Sequence, residues 1–543
     1  MQKQSSNQLK ILGNRYIERT CTDFPQWGSG LGFEKFEPLL VGSDARTHLE
    51  RVKFLEQLLA ETEALSAQGL SPDDWLDRRC FLSLLRTELL NLRDLQRWST
   101  NPQECCDGAI GSVFELVIRH ADDLERVRPS IESRLAVIPE FLKKGASAIR
   151  HPVPLWTKLA IQSCKGSREF LDSLGETLMK ISPDAERTRS LIDAASKAFD
   201  AYAKAIARKP QGKAGDFAIG RERFEFLIRE RCGLDWSLAE VEAEGQRLIA
   251  ELKEELKKEA QKLSGKGKNK RTAAQLLKEA RDSWMPEAPL LELYTRSSAA
   301  WRKRVIGSRL FPLPPGESLK VTPVSDFMRD HFPTAAYSAP GPFQKGQRGI
   351  FWVNDLGATK SNPDEALKEA RQHYGLELTS AHEGYPGHHL QFAIQNRHPS
   401  RIRRLCSHAI FYEGWTMWCE KMAIEQGWVS DRYARLQQLQ DALWRAYRIV
   451  IDCGLHSGKL THEAAAQILV KGVGFTPARA RADVNWYTAA PTVPMSYLLG
   501  RLELERVKNR LIESEGWSLR KFHDWALGHG AIPWSWIEHS KGL

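Results

Sequence analysis

The segment Leu376 to Gln391, LELTSAHEGYPGHHLQ, holds the residues best suited by type and spacing to do chemistry. His382-Glu383 opens like the pattern H-E-x-x-H, in which two histidines one helical turn apart bind zinc and the glutamate activates water. Here the fifth position is Pro386, and the next histidines are His388 and His389, six and seven positions after His382. On an unbroken helix a six-residue step turns a side chain by about 240° and lifts it by about 9 Å, so His388 would point away from His382. Two imidazoles on one zinc each need a nitrogen about 2.0–2.1 Å from the metal, which an intact helix forbids for this pair. Pro386 breaks such a helix, because its ring clashes with the carbonyl of His382 four residues back, and Gly387 supplies a permissive turn. A bulge at Pro386-Gly387 can therefore swing His388 back toward His382. His389 would keep the correct face of an unbroken helix but about 10.5 Å along it, too far for chelation. Read without chemistry, the same residues make a histidine-rich surface turn.

Further donors come 25 positions after His388, in Ala409 to Met422, AIFYEGWTMWCEKM. This reads as an apolar helix with Glu413 and Glu420 set into one face. A carboxylate on such a helix is expensive unless it is paired, neutralised or bound to a cation. Glu413 fits a third zinc ligand, and Glu420 could orient a ligand from behind or form a half-exposed salt bridge.

HEGYPGH followed by YEGWTMWCE resembles the domain-of-unknown-function family 885, a set of predicted metallohydrolases among the gluzincin-like peptidases. The E-G-W-x-x-x-x-E element is similar to the N-E-G-F-A element of gluzincin aminopeptidases, whose glutamate is the third zinc ligand. The resemblance implies His382, His388 and Glu413 on Zn2+, with Glu383 as general base. It extends to Tyr337–Asn354, to Arg445–Ala465 and to the segment from Gly220, covering about residues 215–510. The N-terminal 200 residues or so match only in being helical.

Arg448, Asp452 and His456 are spaced four apart among apolar neighbours, so they line one helix face. A buried ion-pair network is one reading. In the other, Asp452 supports a zinc histidine or His456, His456 donates to the oxyanion or substrate, and Arg448 is a structural or carboxylate-binding cation. Further on, WYTAAPTVPMSYLLGR places Tyr497 three residues before Gly500, as the family pattern does. The resemblance makes Tyr497 the oxyanion donor, though a core aromatic is an equal reading. Trp486, Val493 and Leu498 stand where the family commonly has Arg, Gln and Lys, which puts the family's usual substrate in doubt.

The implied chemistry is hydrolysis of a peptide or another amide. Three protein ligands leave zinc an open position, the cation makes water acidic and polarises the carbonyl, Glu383 carries the proton, and Tyr497 with His456 stabilises the oxyanion. The alternative is a catalytically degenerate protein on the same fold that binds or scaffolds.

These residues must be positioned by a largely helical chain. The chain has 543 residues, 42% hydrophobic and 27% charged, with 78 Lys+Arg against 68 Asp+Glu and a net charge of +10. Such a composition excludes disorder and a small disulfide scaffold, and a single core stops growing near about 250–300 residues. Helical periodicity marks Leu49–Leu65, Asp73–Trp98, Ser112–Lys144 and Asp184–Lys209, and a capping box at Ser237–Glu240 opens a helix that Gly265 would close. The clearest strand is Gly349–Asn354, and Phe311–Val324 reads as extended linker or edge strand. The expectation is a mainly α, helical gluzincin-like architecture with a small antiparallel sheet and a deep cleft between two helical halves. Its parts would be an N-terminal helical region, 1–215, and a metallohydrolase region, 216–543.

The basic run Lys262–Arg271 reads as a solvated loop, so nucleic acid is not an expected partner. No apolar run is long enough to span a bilayer, so no membrane partner is expected either. A short peptide or small amide is the expected substrate, and the oligomeric state is not encoded. Nine cysteines without paired spacings, and no signal-like N-terminus, point to a cytoplasmic protein.

Overall fold

Capping residues set where the helices begin. Asp44 accepts from Thr47 N–H and opens Ala45–Glu63, and Ser71 does the same for Pro72–Leu89 through Asp74 N–H. Ser237 and Glu240 exchange backbone hydrogen bonds at the start of Leu238–Ser264, the reciprocal arrangement that the sequence predicts. The stretch expected as one helix over 112–144 is two, Pro102–Arg119 and Leu124–Ala148, because Asp123 caps a new start by accepting from Arg126 N–H. The computed structural model describes residues 2–264, 271–324 and 334–542. Gly265 and most of the basic run (265–270) lie outside the described residues.

The chain forms two units, Met1–Phe217 with Gly341–Lys345, and Ala218–Pro340 with Gly346–Leu543. In the first, Pro102–Arg119, Leu124–Ala148, Pro154–Ile181 and Ala185–Ala207 pack on one another. Their core includes Val113, Leu116, Ile131, Leu135, Leu171 and Phe199, all buried.

The second unit holds the one sheet among the described residues: β1 (Ser318–Pro323), β2 (Ala335–Ser338) and β3 (Arg348–Val353) in the order β1-β3-β2. β2 runs antiparallel to β3, but β1 runs parallel to it. The sheet is therefore mixed rather than antiparallel as expected. Phe351 and Val353 of β3 pack on Leu290, Leu293 and Tyr294 of the helix Leu290–Ser308. From that helix Trp301 Nε1 donates to the Glu377 carbonyl at 2.9 Å, fixing the start of the helix that carries His382.

Two further helices, Ala409–Glu425 and Val493–Asn509, approach backbone to backbone. A Cβ on Gly414 would stand 2.3 Å from Gly500 C, and one on Gly500 would stand 2.0 Å from the Ile410 carbonyl oxygen. Only glycine at both positions permits this spacing, which draws the faces bearing Glu413 and Tyr497 together. Among the described residues no helix is long and apolar enough to cross a membrane.

Candidate metal centre

The His382 helix, Leu376–Glu383, stops at Gly384, and a new helix, His388–Gln395, starts after Gly387. Gly387 N–H donates to the Ala381 carbonyl at 3.0 Å, and a Cβ there would lie 1.8 Å from the His382 carbonyl oxygen. From the neighbouring Glu413 helix (Ala409–Glu425), Trp415 Nε1 donates to the Pro386 carbonyl at 2.9 Å. The bulge thus brings the two imidazoles together, with ring centroids 4.9 Å apart and planes at 83°.

Glu413 completes the group. Its Oε2 lies 3.7 Å from His382 Nε2 and 3.6 Å from His388 Nε2. One donor atom from each residue lies within 4.8 Å of the others, and all three residues are buried. Ligands on a tetrahedral zinc stand about 3.3 Å apart, so this donor set needs only a small contraction to fit one. Glu413 Oε2 has no hydrogen-bond partner, an exception for a buried carboxylate that a cation would remove.

The two histidines are held differently. His382 Nδ1 lies 2.6 Å from Glu420 Oε1, so its N–H donates backward and Nε2 faces Glu413. Burial opposes a charge on His382, but Glu413 and Glu420 outweigh it and hold its pKa up at about 10. Burial also raises Glu413, yet the two histidines pull it far below the usual carboxylate range. His388 is fixed by packing, with the Tyr337 ring stacked at 6.3 Å and 17°, and its Nδ1 has no partner.

Glu383 follows His382 directly and accepts a hydrogen bond from Tyr337 N–H of β2. Burial raises its pKa, with the charges of His382 and His388 opposing. Tyr497, on the helix Val493–Asn509, feels Glu413 electrostatically. Burial first, then that charge, push its phenol well up. Among the positions where this chain departs from the family pattern, Leu498 is fully buried and Trp486 is 40% exposed.

Asp452 and His456 are bonded elsewhere. Asp452 is fully buried and accepts from Met495 N–H at 3.4 Å, and His456 Nε2 lies 3.6 Å from its other oxygen. His456, also fully buried, places that nitrogen 3.1 Å from the Tyr487 carbonyl and stacks on Phe224. A ring nitrogen committed to a carbonyl in the core has no substrate to reach, so the expectation that His456 stabilises an oxyanion is withdrawn. Asp452 likewise supports the start of the Tyr497 helix and His456, while Glu420 is the carboxylate that supports a candidate ligand.

A second network was not anticipated. Glu317, just before β1, lies 2.9 Å from His389 Nε2, accepts from Tyr385 O–H, and pairs with Arg302 at 2.9 Å. Burial raises its carboxyl, but these donors bring it down to about 2. His389, its Nε2 turned to Glu317, thus ties the bulge to the segment that leads into β1. Glu317 follows a Pro-Pro-Gly turn with no periodicity around it, and no sequence signal marks it.

No curated protein matches this sequence. A "putative lipoprotein of unknown function" from Shewanella oneidensis has the same fold, at 19% identity and a TM-score of 0.78, covering 98% of this chain and 99% of that one. A "putative lipoprotein" from Colwellia psychrerythraea aligns at 16% identity and a TM-score of 0.76, covering 99% of each chain. A carboxypeptidase from Deinococcus radiodurans aligns over 100% of this chain and 95% of its own at 12% identity, but a TM-score of 0.39 carries no argument.

The expectation of a cytoplasmic protein is withdrawn, because two proteins of this fold are each described as a "putative lipoprotein". The cysteine argument failed for a physical reason. Eight of the nine thiols are buried, and a buried thiol is inert in either redox environment. The family likeness also reaches well beyond the motif-bearing part of the chain, into the N-terminal helices. Matched over residues 25–540, the chain belongs to the family described as "Bacterial protein of unknown function (DUF885)".

Proposed function

We propose that this protein is a zinc-dependent hydrolase that cleaves a peptide or another amide bond. The observation that carries the reading is the buried convergence of His382 Nε2, His388 Nε2 and a Glu413 oxygen that no hydrogen bond satisfies. Two imidazoles and a carboxylate are a donor set that suits zinc and leaves a coordination position for substrate. A divalent cation held there supplies Lewis acidity, polarising a carbonyl and making water easy to deprotonate near neutral pH.

The chain's own groups do the rest. Glu383 takes the proton from the attacking water at its carboxylate and passes it to the leaving nitrogen. Its raised pKa suits a group that must hold that proton between the two steps. The Tyr337 N–H keeps Glu383 oriented, and Glu420 keeps the Nε2 lone pair of His382 turned inward. The Tyr497 hydroxyl donates to the oxyanion that forms as the carbonyl becomes tetrahedral. Buried donors favour short peptides or small amides over folded proteins.

Glu383→Gln tests the reading. The variant keeps its metal but loses at least about 100-fold in turnover on a panel of short peptides and amides. Full activity in that variant contradicts the assignment of the base. Metal retained by the wild type with no hydrolysis across the panel points instead to the degenerate binding protein.

A further inference from the structure

Arg448 lies on the helix Ala434–His456 and is 6% exposed. Its Nε donates to the Tyr487 hydroxyl at 2.9 Å, but Nη1 is buried without a partner. Among the described residues no carboxylate forms an ion pair with it. Aromatic rings surround it instead: its Cζ lies 4.0 Å from the Trp444 ring centroid, 4.7 Å from that of Tyr497, and 5.4 Å from those of Trp486 and Tyr487.

The neighbouring charges do not neutralise it. Arg445 stacks on Trp444 at 3.9 Å and takes Asp441 as its own partner at 3.6 Å. Arg479 stacks on Trp444 as well, at 5.3 Å. Asp483 forms no ion pair with Arg448 but acts on it electrostatically, and it accepts at 2.9 Å from the Tyr487 hydroxyl that Arg448 also binds. Three guanidiniums therefore gather around one tryptophan with two carboxylates nearby. A buried cation without a counterion is costly unless an anion arrives to pair with it.

The position links this cation to the metal centre. Tyr497 carries Arg448 over its ring and is coupled electrostatically to Glu413. A carboxylate held by Arg448 would sit beside the Tyr497 ring. We infer that Arg448 binds a free carboxylate of the substrate, its unpartnered Nη1 supplying a charge-assisted hydrogen bond inside an aromatic cage. The single free edge and the apolar walls suit a singly charged, planar carboxylate better than a phosphate, which needs more donors than this cage offers. The inference rests on the hydrolase reading for what the carboxylate belongs to, not for the site itself.

The test is calorimetric binding to the full-length protein, with metal content measured on the same preparations. The probes are N-acetyl-Ala-Phe as the free acid, the same dipeptide as its C-terminal amide, and N-acetyl-Ala-Asp amide. Arg448→Lys keeps the charge without the fork, and Arg448→Gln removes the charge. The expected result is that at least one carboxylate probe binds the wild type about 10-fold or more tighter than the uncharged amide. That margin disappears in Arg448→Gln and survives in part in Arg448→Lys. Preference for the free acid assigns the C-terminus of a peptide, and preference for the Asp amide assigns an acidic side chain. Equal binding of all three probes, no binding of either acid, or a margin that persists in Arg448→Gln overturns the inference. Metal present without a carboxylate margin defeats this inference alone, whereas the margin without metal defeats the hydrolase reading alone.

Discussion

At the scale of single residues, the centre depends on which atom each histidine turns inward. His382 is set by Glu420, 2.6 Å from its Nδ1, so Glu420→Ala leaves the ring free to rotate or change tautomer. Loss of such a partner weakens metal binding by about 10–100-fold, and competition with a chromogenic chelator would measure it. Unchanged affinity would show that packing alone orients His382. Much of this layer was legible in the sequence, because a carboxylate seven residues beyond Glu413 on an apolar helix asks for a partner. His456 was misread for an equally definite reason. A spacing of four shows that Arg448, Asp452 and His456 share a helix side, but not whether that side meets substrate or core. Glu317 was invisible because its partners come from two other stretches of chain, Arg302 from the helix before it and Tyr385 with His389 from the bulge, and nothing in the sequence links the three.

At the scale of elements, the decisive features are a broken helix and a close helix pair. The break follows from Pro386 and Gly387 themselves, and it was readable because Pro clashes with the carbonyl four residues back. The helix pair was not readable, since neither Gly414 nor Gly500 reveals that the other is its neighbour. A Cβ on Gly500 would stand 2.0 Å from the Ile410 carbonyl oxygen, so Gly500→Ala must push the Glu413 helix away. The expected loss is about 1–3 kcal/mol of stability, with lower metal occupancy. Gly307→Ala is the control. It lies within the helix Leu290–Ser308 with nothing within 4 Å of an added Cβ, and it should gain about 0.5–1 kcal/mol. Chemical denaturation reads both, and equal effects would refute the close-packing account. The parallel pairing of β1 with β3 was likewise hidden, because strand patterning encodes faces but not direction.

At the scale of the whole molecule, the interior of the second unit sets an acid limit as well as a site. His523 stacks on Phe311 at 4.3 Å, its Nδ1 lies 2.8 Å from the Leu310 carbonyl, and burial drives its pKa down to about 3. Its folded value lies below the ordinary 6.5, so the folded state binds fewer protons than the unfolded chain as pH falls. The stability it contributes is complete above about 6.5 and declines as pH drops toward the folded value. Relative to His523→Gln, the wild type should lose about 2 kcal/mol between pH 7 and pH 5 in chemical denaturation. An equal pH response in the two proteins would contradict the buried neutral imidazole. The acid limit and the chemistry thus draw on the same interior, in which Glu413 Oε2 is a buried carboxylate oxygen without a hydrogen bond that faces two imidazoles. The most direct measurement is therefore metal content by mass spectrometry on protein purified without chelators or a histidine tag, beside Glu413→Ala. About one zinc per chain, absent from a folded variant, is the predicted result. No bound metal after incubation with zinc, or equal metal in both proteins, would contradict the account.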